Sequence, residues 1–278
     1  MKFPEIFVSA TREKAEYYKH VNAPAFRRGF TLGAKPEHAE ILVCGLGFYD
    51  LFVNGEKITK GLLAPYISNP DDYTIFDKYD VADKLIVGEN VIGVVLGNGM
   101  QNPMTETWEF SKAKYAAAPK LALAFEAVCG EETVTFDATS MKWAPSPITF
   151  DNHRLGVHYD ARLEQDGWCE AGFDDSDWQE PILAEIPRGE AKLCDTDPIV
   201  VKQEISPVSV KKGGIAPYSS LKNDDLPAPE HEFDREGGYI YDFGVNTAGV
   251  FRLVLKNTTA GQKISDRKST RLNSSHVT

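Results

Sequence analysis

Short runs of β-branched and aromatic residues recur along this chain between Gly, Asn and Pro turns, and apolar residues at helical spacing are scarce. Alternating or continuously apolar runs mark strands, and many such runs at regular spacing mark a sandwich. Residues 26–32 alternate, 39–44 are largely apolar, and 48–53 are aromatic and β-rich. Asn54-Gly55 supplies the two positive-φ positions of a type I′ turn, which predicts a hairpin of residues 49–53 with 56–58. Residues 91–96 are nearly all apolar, as in a central strand buried on both faces. Residues 120–128 and 133–143 predict two more strands around Gly130-Glu131-Glu132, and 159–163 another. Only residues 11–20 read as a short helix. The expected fold class is all-β: a jelly-roll-like β-sandwich followed by the start of a second β-sandwich domain, with no (α/α)6 barrel.

Two long loops, 61–78 and 97–119, exceed ordinary connections, so they are expected to be functional or to cover something. Residues 167–178 are acidic and aromatic, and Trp168, Phe173 and Trp178 are expected to pack on the sandwich as a clasp. The predicted organisation is an N-terminal extension (1–24), a sandwich domain (25–180), a linker (181–198) and an incomplete second β-domain (199–265). Its expected strands lie at 199–205, 208–211, 239–243 and 250–255, around a polar loop at 213–237. Residues 266–278 have neither apolar period nor turn logic, and they look like the in-frame translation of a DNA-sequencing adapter. They are read as an artefactual tail, and the protein is expected to continue past residue 265.

With 278 residues, 42% of them hydrophobic, the chain can bury a substantial core. Its net charge of −11 argues against nucleic acid as a partner. No apolar stretch reaches the roughly 18 residues of a membrane span, so no membrane association is expected. Met1-Lys2-Phe3-Pro4-Glu5 lacks a signal-peptide core, and Cys44, Cys129, Cys169 and Cys194 show no CxxC pairing. Free thiols in a cytoplasmic protein are therefore expected.

Motifs with chemistry of their own are few. His153 and His158 lie five apart without a second metal-ligand pair, and Asp71-Asp72 and Asp174-Asp175-Ser176-Asp177 lack calcium-loop spacing, so they read as solvated acidic turns. Gly45-Leu46-Gly47 and Gly97-Asn98-Gly99 precede no helix and read as close-packing glycines rather than a phosphate cradle. There is no GxSxG. Paired carboxylates such as Glu106, Glu109, Asp151, Asp160 and Glu164 are available, as in any acid-rich chain. No metal, no cofactor and no catalytic residue is expected. Aromatic faces flanked by amides and carboxylates suit sugar stacking and hydroxyl bonding, which makes Asn98, Gln101, Glu106, Trp108, Asp151, Asn152 and His153 the candidate substrate contacts. The plainer reading is that these aromatics anchor the loops to the core.

Several stretches, in order, resemble the bacterial α-L-rhamnosidases of glycoside hydrolase family 78. They are Ala25-Phe26-Arg27-Arg28-Gly29-Phe30, the hairpin Gly45-Leu46-Gly47-Phe48-Tyr49-Asp50-Leu51-Phe52-Val53-Asn54-Gly55, and Leu63-Ala64-Pro65. Tyr79-Asp80-Val81 and the run from Gly88 to Gly99 follow. Then come Tyr159-Asp160-Ala161-Arg162-Leu163-Glu164, Gly167-Trp168 and Gly172-Phe173-Asp174-Asp175-Ser176-Asp177-Trp178, and finally Tyr241-Asp242-Phe243-Gly244-Val245-Asn246-Thr247-Ala248-Gly249. The resemblance implies β-sandwich domains, the second concanavalin-like, ahead of an (α/α)6 barrel that removes terminal α-L-rhamnose with inversion through a glutamate pair. None of that barrel is in this sequence. The implied role is an accessory one: these domains are expected to support the catalytic barrel and to contact its substrate, with rhamnosyl glycosides met through the whole enzyme. Tyr66-Ile67-Ser68-Asn69 and Gly99-Met100-Gln101 depart from the family's pattern, in loops expected to face substrate. The alternatives are a free-standing carbohydrate-binding module and a purely structural β-domain.

Overall fold

The computed structural model describes residues 1–16, 19–103, 113–152, 156–212 and 239–260. They fall into two compact units, Met1–Val200 and Val201–Gln262. The first unit carries β1 (Phe7–Ser9), β2 (Pro24–Leu32), β3 (His38–Leu46), β4 (Tyr49–Val53), β5 (Glu56–Lys57), β6 (Tyr73–Asp80) and β7 (Gly88–Leu96). It continues with β8 (Lys120–Cys129), β9 (Glu132–Asp137), β10 (Lys142–Pro145), β11 (Ile148–Asn152), β12 (Gly156–Tyr159), β13 (Ile182–Ala184) and β14 (Glu190–Leu193). One sheet runs β13-β1-β8-β3-β6-β14 with β9 beside β8, the other runs β10-β2-β7-β4-β5, and β11 and β12 form a separate pair.

The two large sheets close on a shared apolar layer. Ile41 and Val43 of β3 and Leu121, Leu123 and Phe125 of β8 meet Phe26 of β2, Leu51 of β4 and Ile92, Val94 and Leu96 of β7. Period-2 alternation puts one set of side chains on each inner face, and each fully buried Leu, Ile or Phe contributes about 1.5–3 kcal/mol. β7 is central, as its apolar run predicts. Its outer face is covered by the clasp: a Cβ on Gly93 would lie 2.5 Å from Cys169 Sγ and 2.6 Å from Trp168. Trp178 packs with Ala25 and Ala144, alongside Trp168 and Phe173.

The Asn54-Gly55 hairpin forms as expected, with φ of 49° and 82° at the two turn residues. Four other expectations are corrected. Residues 11–16 are not helical: Glu13 N–H donates to Thr11 Oγ1 and Ala15 N–H to Asn102 Oδ1, so side chains take the donors a helix would have used. The 133–143 run is two strands in different sheets, because Asp137 caps a 3-10 turn at Ala138–Ser140 that sends the chain across the sandwich. The strand expected at 159–163 ends at Tyr159, where Asp160 caps a second such turn. Finally, the segments read as extension and linker add strands to the sheet: β13 pairs antiparallel with β1, and β14 pairs parallel with β6.

In the second unit, β15 (Ser209–Lys212) and β16 (Tyr239–Asp242) form an antiparallel pair. The strands expected at 199–205 and 250–255 are absent, and Val208, Val250, Phe251 and Val254 are exposed. An extended segment needs a neighbour for its backbone groups, and a two-stranded ribbon offers little apolar cover.

Candidate functional site

Of the candidate contacts, the structure brings Asn98 and Asp151 together, with their polar groups turned inward. Asn98 and Gly99 follow β7, and Asp151 lies on β11. The Asp151 carboxylate accepts hydrogen bonds from Asn98 N (2.7 Å), Gly99 N (3.2 Å) and Asn98 Nδ2 (2.8 Å). Asn98 Nδ2 also donates to Val21 O, while its Oδ1 accepts from Asn102 Nδ2 at 2.8 Å. Gln101 Nε2 donates to Tyr115 O at 2.7 Å. Asn98, Gln101 and Asn152 are all buried, at 2%, 4% and 5% exposure. Buried amides and carboxylates are costly unless bonded. Asn98 and Asp151 satisfy each other and the backbone, and so pin the loop after β7 to β11, while Gln101 ties that loop to Tyr115. Glu106, Trp108 and His153 lie outside the described residues.

Both glycine-rich stretches serve close packing. A Cβ on Gly47 would stand 1.9 Å from Gly97 O, and one on Gly97 would stand 3.1 Å from Asp151 Oδ2. Beyond this junction the two loops that depart from the family's pattern face each other. Pro65, Tyr66 and Ile67 line one wall of a cleft of about 40 Å³, and Met100, Gln101 and Tyr115 line the other. A wider groove of about 370 Å³ runs past Arg12, Lys120, Leu183 and Glu185. Lys120 Nζ there donates to Glu185 O at 2.8 Å, and burial lowers the pKa of this lysine.

Two polar clusters escaped the sequence reading. Between the sheets, the Tyr49 hydroxyl donates to Asp77 Oδ2 at 2.6 Å and lies 2.9 Å from the Tyr79 hydroxyl, which accepts from Lys60 N at 3.2 Å. Burial pushes the Tyr49 pKa far up and raises that of Tyr79, so both phenols stay protonated and act as a clamp across the sandwich. The available signal was an acid at an inward position of an alternating strand. On the outer face, His38, Glu40 and Glu126 bring potential metal-ligand atoms within 4.8 Å of one another. Glu40 is held by Lys78, by His38 Nε2 at 3.3 Å and by the Met1 amino group at 3.1 Å. The Lys78 hydrogen bond keeps the Glu40 pKa low against the opposing effect of burial. A cation would have to displace that ammonium.

The acidic turn 174–177 is not wholly solvated. Asp174 caps it through Ser176 N, but Asp175 turns in to pair with buried Arg27 and with Lys142.

This arrangement defines a class: a two-sheet β-sandwich whose best-built polar clusters hold its own loops and clasp in place. The family described as "Alpha-L-rhamnosidase N-terminal domain" matches residues 34–203, and the chain belongs to that family. An α-L-rhamnosidase of Formosa agariphila is 32% identical over 236 residues, which cover 83% of this chain and 23% of that protein. One of Streptomyces avermitilis is 27% identical over 221 residues, 79% of this chain and 19% of that protein. Among solved structures, the α-L-rhamnosidase of Dictyoglumus thermophilum superposes with a TM-score of 0.66 at 28% identity, covering 74% of this chain and 24% of that one. That of Aspergillus terreus gives 0.67 at 23% identity, a likeness of fold, over 75% of this chain and 24% of that one. The chain thus spans about a quarter or less of the length of these relatives.

Proposed function

We propose that this chain is the N-terminal β-portion of an inverting glycoside hydrolase that removes terminal α-L-rhamnosyl residues, and that it serves there as a non-catalytic support for a helical catalytic barrel. The observation that carries the proposal is family membership over residues 34–203 in a chain that spans about a quarter of the length of its relatives. The geometry supports the accessory role: the Asn98–Asp151 cluster is spent on loop anchoring. Rhamnosyl glycosides are then partners of the whole enzyme. The free cysteines favour a reducing compartment, so cytoplasmic residence belongs to the same proposal.

The test is to read the encoding locus beyond the codon for Ser265 and to assay the complete product on an aryl α-L-rhamnoside. A continuing frame that yields a rhamnoside-cleaving enzyme is the expected result. A stop codon at that point, or a full-length product inert on rhamnosides but active on another glycoside, overturns the reading.

A further inference from the structure

Between Gly61 and Pro70 the chain runs Gly-Leu-Leu-Ala-Pro-Tyr-Ile-Ser-Asn-Pro without a charge, in a protein in which 26% of residues are charged. The segment lies at the surface: Leu63 and Tyr66 are each 57% exposed, with Leu62 and Ile67 also open to solvent. Exposed Ile199 adjoins it through Leu62 N, which donates to Ile199 O at 2.8 Å, and exposed Tyr73 adjoins it through Ser68 Oγ, which donates to Tyr73 O at 2.7 Å. The loop is firmly held, because Tyr49 N donates to Ala64 O at 2.7 Å and Tyr73 N to Asn69 O at 2.9 Å. Charge begins at its edges, with Lys60 on one side and Asp71 and Asp72 on the other. An uncharged apolar centre with a polar rim is the anatomy of an interface.

Leu63 sharpens the case. Its φ of 57° places a leucine in the left-handed region, where glycine or asparagine is favoured, and its side chain is more than half exposed. Neither local conformation nor packing within this unit accounts for a leucine there. A partner that buries the side chain would.

We propose that the Leu62–Ile67 surface is the docking face for the remainder of the α-L-rhamnosidase chain, met by an uncharged apolar patch on that remainder. This rests on the function proposed above. The choice of occupant follows from length: about three-quarters of each relative lies outside the part this chain spans. A sugar is disfavoured, since the Gln101 amide beside this surface is already bonded to Tyr115 O.

The test compares the 278-residue chain with the full-length product of its locus by hydroxyl-radical footprinting and thermal melting, in wild type and Leu63→Gly. Expected are a several-fold loss of oxidation at Leu63 and Tyr66 in the full-length protein, and opposite responses to L63G. The short chain should melt no lower, because glycine suits this φ, whereas the full-length protein should melt several degrees lower. Equal oxidation in both proteins, with the full-length one active on an aryl α-L-rhamnoside, overturns the docking face and leaves the function standing. Protection in a full-length protein inert on rhamnosides supports the face and overturns the substrate assignment. Concentration-dependent protection in the short chain alone overturns the proposal in favour of self-association.

Discussion

Arg27 sits on the outer face of β2, under the clasp, where its guanidinium is almost fully buried. Its Nε donates to Trp168 O at 2.8 Å and its Nη2 to Glu170 O at 3.3 Å. Nη1 pairs with Asp175, and the group lies 5.2 Å from the Phe173 ring centre. The clasp is therefore organised around one cation, and Arg27→Met orphans two carbonyls and half of an ion pair. The expected cost is about 3 kcal/mol, measurable as a lower urea midpoint by the fluorescence of Trp168 and Trp178; a change below about 0.5 kcal/mol would be that of an ordinary surface site. The same pair predicts acid sensitivity. Burial alone would raise the Asp175 pKa, but Lys142 and Arg27 outweigh it and hold the carboxyl below its usual 3.8. Because the folded value is depressed, the stabilisation is complete above the unfolded value near 3.8 and is lost as pH falls through the folded one. Asp175→Asn should flatten the acid limb of the stability–pH curve in that window. A limb identical to wild type would mean that Asp175 is not the group that titrates.

The hairpin between β4 and β5 shows how much an element owes to side chains that its turn motif does not require. Asn54 and Gly55 adopt the positive φ angles that the Asn-Gly pair predicts. Asn54 does more than turn the chain: its Nδ2 donates to Lys84 O at 3.0 Å and to Asn90 Oδ1 at 2.9 Å, and its Oδ1 accepts from Val91 N at 2.8 Å. Asn54→Gly keeps a turn-compatible residue and removes these bonds. If the turn were all that mattered, the change would be neutral; the expected loss is about 1–2 kcal/mol by chemical denaturation. The junction of the 97–103 loop with β11 gives a parallel case. Asp151→Ala strips acceptors from Asn98 N, Asn98 Nδ2 and Gly99 N, and should cost about 2–3 kcal/mol. Faster amide exchange at Asn98 and Gly99 would mark the released loop, whereas unchanged exchange there would deny Asp151 an anchoring role.

At the scale of the molecule, the unit Met1–Val200 contains the sandwich core, and residues beyond the expected boundary at 180 belong to its sheet through β13 and β14. Residues 1–200 expressed alone should therefore unfold in one cooperative calorimetric transition. A version ending at 180 exposes Val8 and its neighbours on β1 along an open edge and should melt several degrees lower. Equal melting temperatures would show that β13 and β14 add no stability. In the second unit most described residues are exposed, Val208, Val250, Phe251 and Val254 among them, and Ile205 and Ser209 are of intermediate burial. A 1–200 piece should consequently match the full chain in its principal transition.

What the sequence determined was local and periodic. The alternation at 26–32, the apolar run at 91–96 and Asn54-Gly55 each carry their own physics, so the all-β class, the central strand and the hairpin are legible in the sequence. The aromatic clasp was legible too, because Trp168, Phe173 and Trp178 are too large to leave in water together. Tertiary structure alone decided the rest. Asp137 and Asp160 could end a strand only where their carboxylates met the right amide, and Glu13 and Ala15 gave up a helix because Thr11 and Asn102 competed for their donors. Asn98, Gln101 and Asp151 have the composition of a sugar-binding loop, yet whether an amide faces solvent or spends its donors on Val21 and Tyr115 is set by the packing of segments far apart in the chain. Composition names the groups a surface could offer, and only the fold decides which of them remain unbonded.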